Sequence, residues 1–129
     1  RYQLEIDRDE AYPFFLFRAE DKQLLGGITL GNIRRGAAQA GTLGYWMGER
    51  FAGQGHMRRA VTCISRYAFD RLGLSRIEAA CLPENEVSIC LLEKAGFIRE
   101  GLARRYLNIA GERRDHIQFA LLAEDRHHA

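Results

Sequence analysis

The first third of the chain alternates between apolar runs and polar breaks in a way that predicts three antiparallel strands. Aromatic and apolar residues fill 12–19, stop at a charged break over 20–22 and resume over 23–30, which is typical of a hairpin. A connection rich in Gly and Ala, 36–41, then leads to an apolar and aromatic strand over 42–47. The chain is therefore expected to begin as a meander that ends at a glycine-rich loop.

After this loop the periodicity changes from that of strands to that of a helix. Apolar residues recur every three or four positions from Met57 to Leu72, and Gly73 follows where glycine commonly ends a helix. A weakly alternating strand over 76–82 comes next. Because a helical crossover joins it to the strand at 42–47, the two strands are expected to lie parallel.

A second helix is predicted from its two ends. Asn85 is a good N-cap for a helix that continues through Lys94. Gly96 suits the left-handed position after that helix, from where Phe97 can pack back against Leu92. These local signals predict a short capped helix.

The last segments, 98–107 and 113–122, are joined around 108–111 and predict a final hairpin. Strands at both ends of the chain with helices between them indicate a mixed α/β (α+β) fold. The 129 residues, 47% of them hydrophobic, suffice for one compact domain over 1–129 and leave no room for a second. A core of this size needs neither disulfides nor a metal.

Charge and cysteine content exclude several classes of protein. A net charge of +2, from 19 basic and 17 acidic residues, is too mild to indicate nucleic-acid binding. No apolar run approaches the roughly 18 residues of a membrane span. Cys63, Cys81 and Cys90 are expected in apolar surroundings, and an odd number without C-x-x-C spacing predicts a reduced, cytoplasmic protein. The chain opens at Arg1 without a methionine, which suggests a truncated start.

The glycine-rich loop from Arg50 to Met57 precedes the first helix. Gly53 and Gly55 can take positive φ and bring backbone N–H groups close to a ligand, while the unpaired amides of the first turn add partial positive charge. Two arginines follow in that turn, which is unfavourable unless an anion lies there. The loop therefore predicts a phosphate site; an ordinary surface turn with solvated arginines is the equal alternative.

Five motifs, in order, give the chain a resemblance to the GNAT acyltransferase superfamily. They are Leu43-Gly44-Tyr45-Trp46, the Arg-x-x-Gly-x-Gly of Arg50, Gly53 and Gly55, Pro83-Glu84-Asn85-x-x-Ser88, Leu92-Glu93-Lys94-Ala95-Gly96-Phe97, and Arg114-Asp115-His116. Within the superfamily the chain is most similar to ribosomal-protein N-terminal-alanine acetyltransferases and their relatives. The resemblance implies a mixed, largely antiparallel sheet split at a central parallel strand pair, with two helices after the split. The usual N-terminal strand and helices are missing.

The resemblance also implies acetyl-CoA as co-substrate, bound in the split without a metal. The pyrophosphate would lie on the glycine loop, the pantetheine arm would pair like a strand, and Asn85 would hold an amide of that arm. The residues implied for this binding are Trp46, Met47, Arg50, Gly53, Gln54, Gly55, His56, Met57 and Asn85. Trp46 is as readily a core residue, and its backbone matters more than its ring.

Direct acetyl transfer needs a deprotonated amine, a donor to the oxyanion and a proton for the leaving thiolate. In related enzymes a serine at the position of Ser88 offers its hydroxyl to the CoA sulfur, so the resemblance implies that role here. The alternative is a first-turn serine that satisfies a free amide. A backbone N–H near Met47 is the expected oxyanion donor, and Tyr106 is the second predicted catalytic residue.

The general base is left open. Relatives often carry a glutamate directly before the tyrosine of the penultimate strand, and Arg105 takes that place here. The remaining candidates are Glu78, Tyr106, Asp115, His56, His116 and a water chain.

The implied activity is N-acetylation of a primary amine, either a protein N-terminal α-amine of ribosomal type or a small amine. Four arginines of the last hairpin favour an acidic or ribosome-bound partner, without direct nucleic-acid or membrane contact. Related enzymes often form dimers, so the resemblance is compatible with a homodimer. The segments that usually wall the acceptor cleft are missing, which leaves open whether the acceptor site is organised.

Two other classes of protein are alternatives to the enzyme. A nucleotide-binding domain is disfavoured, because the loop lacks a third glycine and no Gly-Lys-Ser/Thr follows. A non-catalytic acyl-CoA-binding or sensor module on the same fold remains the alternative, and Arg105 in place of the glutamate is its main support.

Overall fold

The computed structural model of the chain describes residues 11–47 and 55–128. Within them, six strands form one sheet and two α-helices follow the third and fourth strands. The strands are β1 (Tyr12–Phe17), β2 (Leu24–Arg34), β3 (Ala40–Met47), β4 (Arg76–Cys81), β5 (Ile98–Ile109) and β6 (Glu112–Leu122). The helices are α1 (His56–Asp70) and α2 (Glu86–Lys94), and a 3₁₀ helix, Ala123–His128, follows β6. The predicted mixed α/β class is confirmed.

The strand order is β1-β2-β3-β4-β6-β5, and every neighbouring pair is antiparallel except β3 and β4. That parallel pair is the predicted one, but it is short. Only Ala40, Gly41 and Thr42 of β3 have partners on β4. The prediction started β3 at residue 42 and so missed two of these three residues. Beyond Thr42 the two strands diverge, which opens the sheet at its centre.

One face of the sheet is covered by α1 and α2, and we call it the helix side. Leu43 and Tyr45 of β3 point to this side together with Ile77, Ala79 and Cys81 of β4, because side chains alternate along a strand. The largest fully buried side chains of the core are Phe119, Ile28, Leu30, Ile77, Leu92 and Val61. The opposite face, called the open side, carries the intervening residues of β3 and β4.

The ends of α2 follow the predicted capping pattern. The Asn85 side chain accepts a hydrogen bond from the Ser88 amide, and the helix ends at Lys94. Gly96 has φ of 96°, and the Phe97 amide donates to the Leu92 carbonyl at 2.9 Å. This is the Schellman arrangement, and it fixes the direction in which β5 leaves the helix.

α1 ends at Asp70, two residues before the predicted end at Leu72. The amides of Arg71 and Leu72 both donate to the Tyr67 carbonyl, which tightens the last turn. Gly73 then takes φ of 71°, as its position predicted.

The cysteines correct one expectation. Cys81 is buried in the core, but Cys63 and Cys90 are exposed on the helices, so only one of the three lies in apolar surroundings. Neither described α-helix has the length and apolar character that crossing a membrane requires.

Candidate functional site

The opening between β3 and β4 is the feature around which the candidate site is built. β3 pairs with β2 as far as Met47, and β4 pairs with β6 along its whole length, from Arg76 to Cys81. Between β3 and β4, pairing stops at Thr42 and Glu78. The facing edges beyond that point have no strand between them, so an extended ligand could form main-chain hydrogen bonds there.

The N-terminus of α1 has the features predicted for an anion site. Gly55 is the N-cap, with φ of 80° and ψ of 0°, and it has no side chain to cap the helix. The first turn contains no acidic residue. Arg59 lies against this turn, with its Nη2 atom 3.1 Å from Nδ1 of His56. The amides of this turn and the nearby guanidinium both suit a phosphate.

The other residues predicted to bind acetyl-CoA differ in where they lie and in how exposed they are. Arg50, Gly53 and Gln54 lie outside the described residues. Met57 is buried in the core, so only its backbone can face a ligand. Trp46 is 52% exposed on the open side, where its indole covers Gly27 of β2 and not the core. The backbone of Trp46 and Met47 forms part of the β3 edge at the split.

Ser88 lies in the first turn of α2 and is only 7% exposed. Its amide is capped by the Asn85 side chain, with 3.1 Å between N and Oδ1. The amide of Ser88 is therefore satisfied without its own hydroxyl. That hydroxyl instead forms a hydrogen bond with the phenol of Tyr45 on β3. α2 thus presents a hydroxyl to the helix side of the split.

Tyr45, Ser88 and Cys81 form a small polar cluster among apolar side chains. Burial raises the pKa of Tyr45, and the hydrogen bond with Ser88 offsets this only in part. Burial likewise raises the pKa of the Cys81 thiol, against the effect of a hydrogen bond with the Ser88 hydroxyl. Both groups are therefore held in their protonated forms.

Tyr106 lies in an irregular part of β5. The register of β5 against β6 shifts between Ala103 and Leu107, and Arg105 within this bulge has φ of 49°. The Arg105 amide donates to Asp115 at 2.8 Å. The Arg113 guanidinium donates to the carbonyls of Arg105 and Tyr106, each at 3.0 Å. These bonds hold a bulge of the kind that re-aims a side chain.

The side chain of Tyr106 is directed at the open side of the split. It is 40% exposed and packs edge-on against the buried His116 ring, with 5.8 Å between ring centroids. It also lines a cavity of about 420 Å³ at the split. Six of the residues that line this cavity are Thr42, Gly44, Glu78, Ala80, Tyr106 and Gln118.

Glu78, a candidate base, belongs to an ion-pair network on the open side. Its carboxylate accepts from Arg34 at 2.7 Å and from Arg76 at 2.8 Å. Arg76 also holds Glu100 through two hydrogen bonds of 2.5 and 2.9 Å. Partial burial raises the pKa of Glu78, but the hydrogen bonds and charges of Arg76 and Arg34 outweigh it and keep that pKa below its ordinary value. A carboxylate stabilised in this way is a weak base.

The other candidate bases also have structural partners. Asp115 binds the Arg105 amide, and Arg114 forms an ion pair with Glu84 and not with Asp115. His116 is buried, and its Nδ1 atom lies 3.0 Å from the Arg114 carbonyl. Glu78 and Tyr106 are the candidates that line the cavity. Within the described chain, no three His, Cys, Asp or Glu side chains lie together in a way that could hold a metal ion.

Sequence reasoning missed the contributions of Tyr45 and Cys81 to this site. The sequence places Tyr45 only in a motif, and it predicts for Cys81 only a reduced thiol in apolar surroundings. The alternation of side chains along β3 and β4 places both on the helix side, and a tyrosine hydroxyl turned toward a core needs a polar partner. That signal could have suggested a partner for Tyr45, but not which one.

A family model described as an acetyltransferase (GNAT) domain matches residues 2–98. The chain is 43% identical over 124 residues to the probable N-acetyltransferase YjcK of Bacillus subtilis, covering 96% of this chain and 68% of that protein. It is 38% identical over 115 residues to the ribosomal protein uS5-alanine N-acetyltransferase of Escherichia coli, covering 89% and 59%. The chain therefore spans from 59% to 68% of the length of these relatives.

Solved structures give the same picture. The ribosomal-protein-S5-alanine acetyltransferase of Vibrio fischeri matches with a TM-score of 0.90 at 33% identity, over 96% of this chain and 68% of that one. RimJ of Mycobacterium smegmatis, solved in complex with CoA-disulfide, matches with a TM-score of 0.90 at 34% identity, over 95% and 58%. The predicted resemblance and its acetyltransferase class are confirmed at the level of the family.

Proposed function

This chain belongs to the GNAT acetyltransferase family, and we propose that it transfers an acetyl group from acetyl-CoA directly to a primary amine. The observation that carries the proposal is the split itself. Two facing strand edges lack partners beyond Thr42 and Glu78, and a buried hydroxyl, that of Ser88, lies on the helix side of that gap. We further propose that the protein acts in the cytoplasm.

The donor site would combine the β3 edge with the N-terminus of α1. The first turn behind Gly55 fits a pyrophosphate, because Gly55 offers no capping side chain and the turn itself contains no acidic residue. Asn85 uses its carboxamide oxygen as the cap of α2, which leaves the amide nitrogen as the group that would meet a pantetheine carbonyl. The residues proposed to bind acetyl-CoA are Trp46, Met47, Arg50, Gly53, Gln54, Gly55, His56, Met57 and Asn85.

The leaving sulfur and the attacking amine would be served by residues on opposite sides of the split. On the helix side, Ser88 would donate its hydroxyl proton to the leaving sulfur. On the open side, the amine would enter the cavity that Tyr106 lines, and Tyr106 would help to hold it. The lowered pKa of Glu78 makes its carboxylate a weak base, so the amine would enter already deprotonated or would pass its proton to a water that Tyr106 holds.

We propose a protein N-terminal α-amine, of the ribosomal-protein type, as the preferred acceptor. The support is that relatives in two species are named as ribosomal-protein-alanine acetyltransferases. A small amine is the second acceptor class. A homodimer is also proposed, since β5 is an edge strand with Ile98, Leu102 and Leu107 exposed. Light scattering that gives only the monomer mass would contradict the dimer.

The test is to mix the purified chain with acetyl-CoA and a panel of amines and to measure free thiol. The panel contains a peptide with N-terminal alanine, the same peptide with a blocked N-terminus, and spermidine. Thiol release with the free peptide and not with the blocked one is expected. Calorimetric binding of acetyl-CoA without thiol release from any amine would contradict the enzyme and favour an acyl-CoA sensor.

A further inference from the structure

The hydrogen bond between Tyr45 and Ser88 joins two elements that lie on different parts of the split. Tyr45 belongs to β3, beyond the last residue paired with β4, and Ser88 to the first turn of α2. Asn85 caps the Ser88 amide, and the Ser88 hydroxyl forms its hydrogen bond with Tyr45. The environment of this hydroxyl is set by the phenol of Tyr45 and the thiol of Cys81.

The direction of this hydrogen bond follows from acidity. A phenol is a stronger acid than an aliphatic alcohol, so it is the better donor of the two. Burial also keeps the Tyr45 phenol protonated, since it raises its pKa. Tyr45 therefore donates to the Ser88 oxygen, which leaves the Ser88 proton for a different acceptor. A sulfur atom, that of Cys81, is already among the neighbours of this hydroxyl.

We propose that Tyr45 is a positioning residue that directs the Ser88 proton toward the leaving sulfur and replaces that proton through the Tyr45–Ser88 hydrogen bond. This inference rests on the proposed function. As the amine nitrogen forms its bond to the acetyl carbon and the C–S bond breaks, Ser88 gives its proton to sulfur. The Tyr45 proton moves to the Ser88 oxygen. The resulting tyrosinate takes up from solvent the proton that the amine has released, so the cycle balances.

The reason for a relay is the poor acidity of serine. Alone, Ser88 would be left as an alkoxide after protonating a thiolate, which is unfavourable because an alcohol is a far weaker acid than a thiol. With the relay the negative charge rests on the phenol of Tyr45, whose pKa burial raises above its ordinary value of about 10 but which is still a far stronger acid than an aliphatic alcohol. The hydroxyl of Tyr45 thus supplies what the hydroxyl of Ser88 lacks.

The first experiment compares the calorimetric affinities of CoA and desulfo-CoA, which differ only at the sulfur. Wild-type protein should bind CoA more tightly. Tyr45→Phe and Ser88→Ala should each reduce the affinity for CoA by about tenfold and leave that for desulfo-CoA unchanged. Tyr67→Phe is the matched control, because Tyr67 packs on Tyr12 and Phe14 away from the split. It should change neither affinity.

The second experiment uses turnover with the acceptor that the wild-type protein accepts. Tyr45→Phe should lower kcat about tenfold with little change in KM, and adding Ser88→Ala should lower it much less than the product of the two single effects. If kcat of the double variant fell by the product of the two single effects, the relay would be overturned. If Tyr45→Phe does not fold, Tyr45→Met provides a second hydroxyl-free side chain that can fill the site.

Two results separate this inference from the function on which it rests. A wild-type protein that binds neither CoA nor acetyl-CoA removes the proposed function itself. A wild-type protein that releases thiol, while Tyr45→Phe retains the full preference for CoA over desulfo-CoA and full kcat, leaves the function standing and overturns the role of Tyr45.

Discussion

The two sides of the split use polar groups in opposite ways. On the helix side, the hydroxyls of Tyr45 and Ser88 and the thiol of Cys81 lie among apolar side chains, and each is uncharged. On the open side, Arg34, Arg76, Glu78 and Glu100 form a network of charges that water can reach. The gap between β3 and β4 is therefore bordered by mostly buried, uncharged groups on the helix side and by solvent-exposed charged groups on the open side.

The difference predicts where the protein tolerates change. A buried hydrogen bond has no water to replace a lost partner, so each group on the helix side should matter strongly. A partly exposed ion pair is screened and contributes little, so groups on the open side should matter less. Proton donation belongs on the helix side, where a fixed donor is largely shielded from solvent.

The largest effect should come from the packing beneath the helix side. Leu92→Ala removes a fully buried side chain and should lower the free energy of unfolding by about 2–5 kcal/mol, because a cavity remains. Val87→Ala is the matched control on the same helix, since Val87 is 67% exposed. It should change the free energy by less than about 0.5 kcal/mol. Urea unfolding measures both, and equal losses would contradict the assigned core.

Ser88→Ala should give the next largest effect. It should lower kcat about a hundredfold with little change in KM, the signature of a contact made in the transition state. Ser65→Ala is a suitable control, because Ser65 is also buried, and its hydroxyl has no hydrogen-bond partner among the described residues. It should leave kcat unchanged. If steady-state kinetics gave the two variants the same kcat, the helix side would lose its proton donor.

Gly55→Val tests the N-terminus of α1 and should weaken acetyl-CoA binding about tenfold in calorimetry. A β-branched residue at φ of 80° strains the turn whose amides would meet the phosphate. Gly36→Val imposes the same strain at φ of 69° in the β2–β3 connection, with open space around it. It should destabilise the protein to a similar degree but keep the affinity. Equal affinities in both variants would remove the loop from the site.

The smallest effect should come from Glu78→Gln on the open side. The folded state lowers the pKa of Glu78, so its contribution to stability is present above the ordinary pKa of a glutamate, near 4.3, and is lost as the pH falls through the lower folded value. Thermal melts should show Glu78→Gln less stable than wild type by about 0.5–1 kcal/mol at pH 7. The difference should shrink below about pH 4. A difference that grows in acid would contradict the ion pairs, and a large loss of kcat would restore Glu78 as the base.

Features encoded within a few residues were predictable. The cap at Asn85 and the glycine stop at Gly96 depend on contacts three to five positions apart, and both are found as predicted. The parallel pairing of β3 and β4 followed from the helical crossover between them. Its brevity did not, since a pattern of apolar residues carries no information on where two strands separate.

Contacts between residues far apart in the sequence could not be predicted from the pattern of hydrophobic residues. Tyr45 and Ser88 are 43 positions apart, and Arg34 and Glu78 are 44 apart. Each pair meets only because the strands and helices between its two residues bring them together. Ser88 and Tyr106 are predicted from the resemblance to the family, not from geometry. Tyr45 belongs to another motif of that resemblance, and no role is predicted for it, because nothing in the sequence states which hydroxyl it faces.

The shortness of the β3–β4 pairing links binding to the rigidity of the whole sheet. The half formed by β1–β3 and the half formed by β4–β6 share three residue pairs, are linked by the ion pair between Arg34 and Glu78, and pack on the same helices. A molecule that hydrogen-bonds to both free edges completes the missing rows of the sheet. Its binding energy then adds to the free energy of unfolding, by about 2.7 kcal/mol at a hundred times its dissociation constant. Binding of a ligand in the gap and the stability of the sheet are therefore thermodynamically linked.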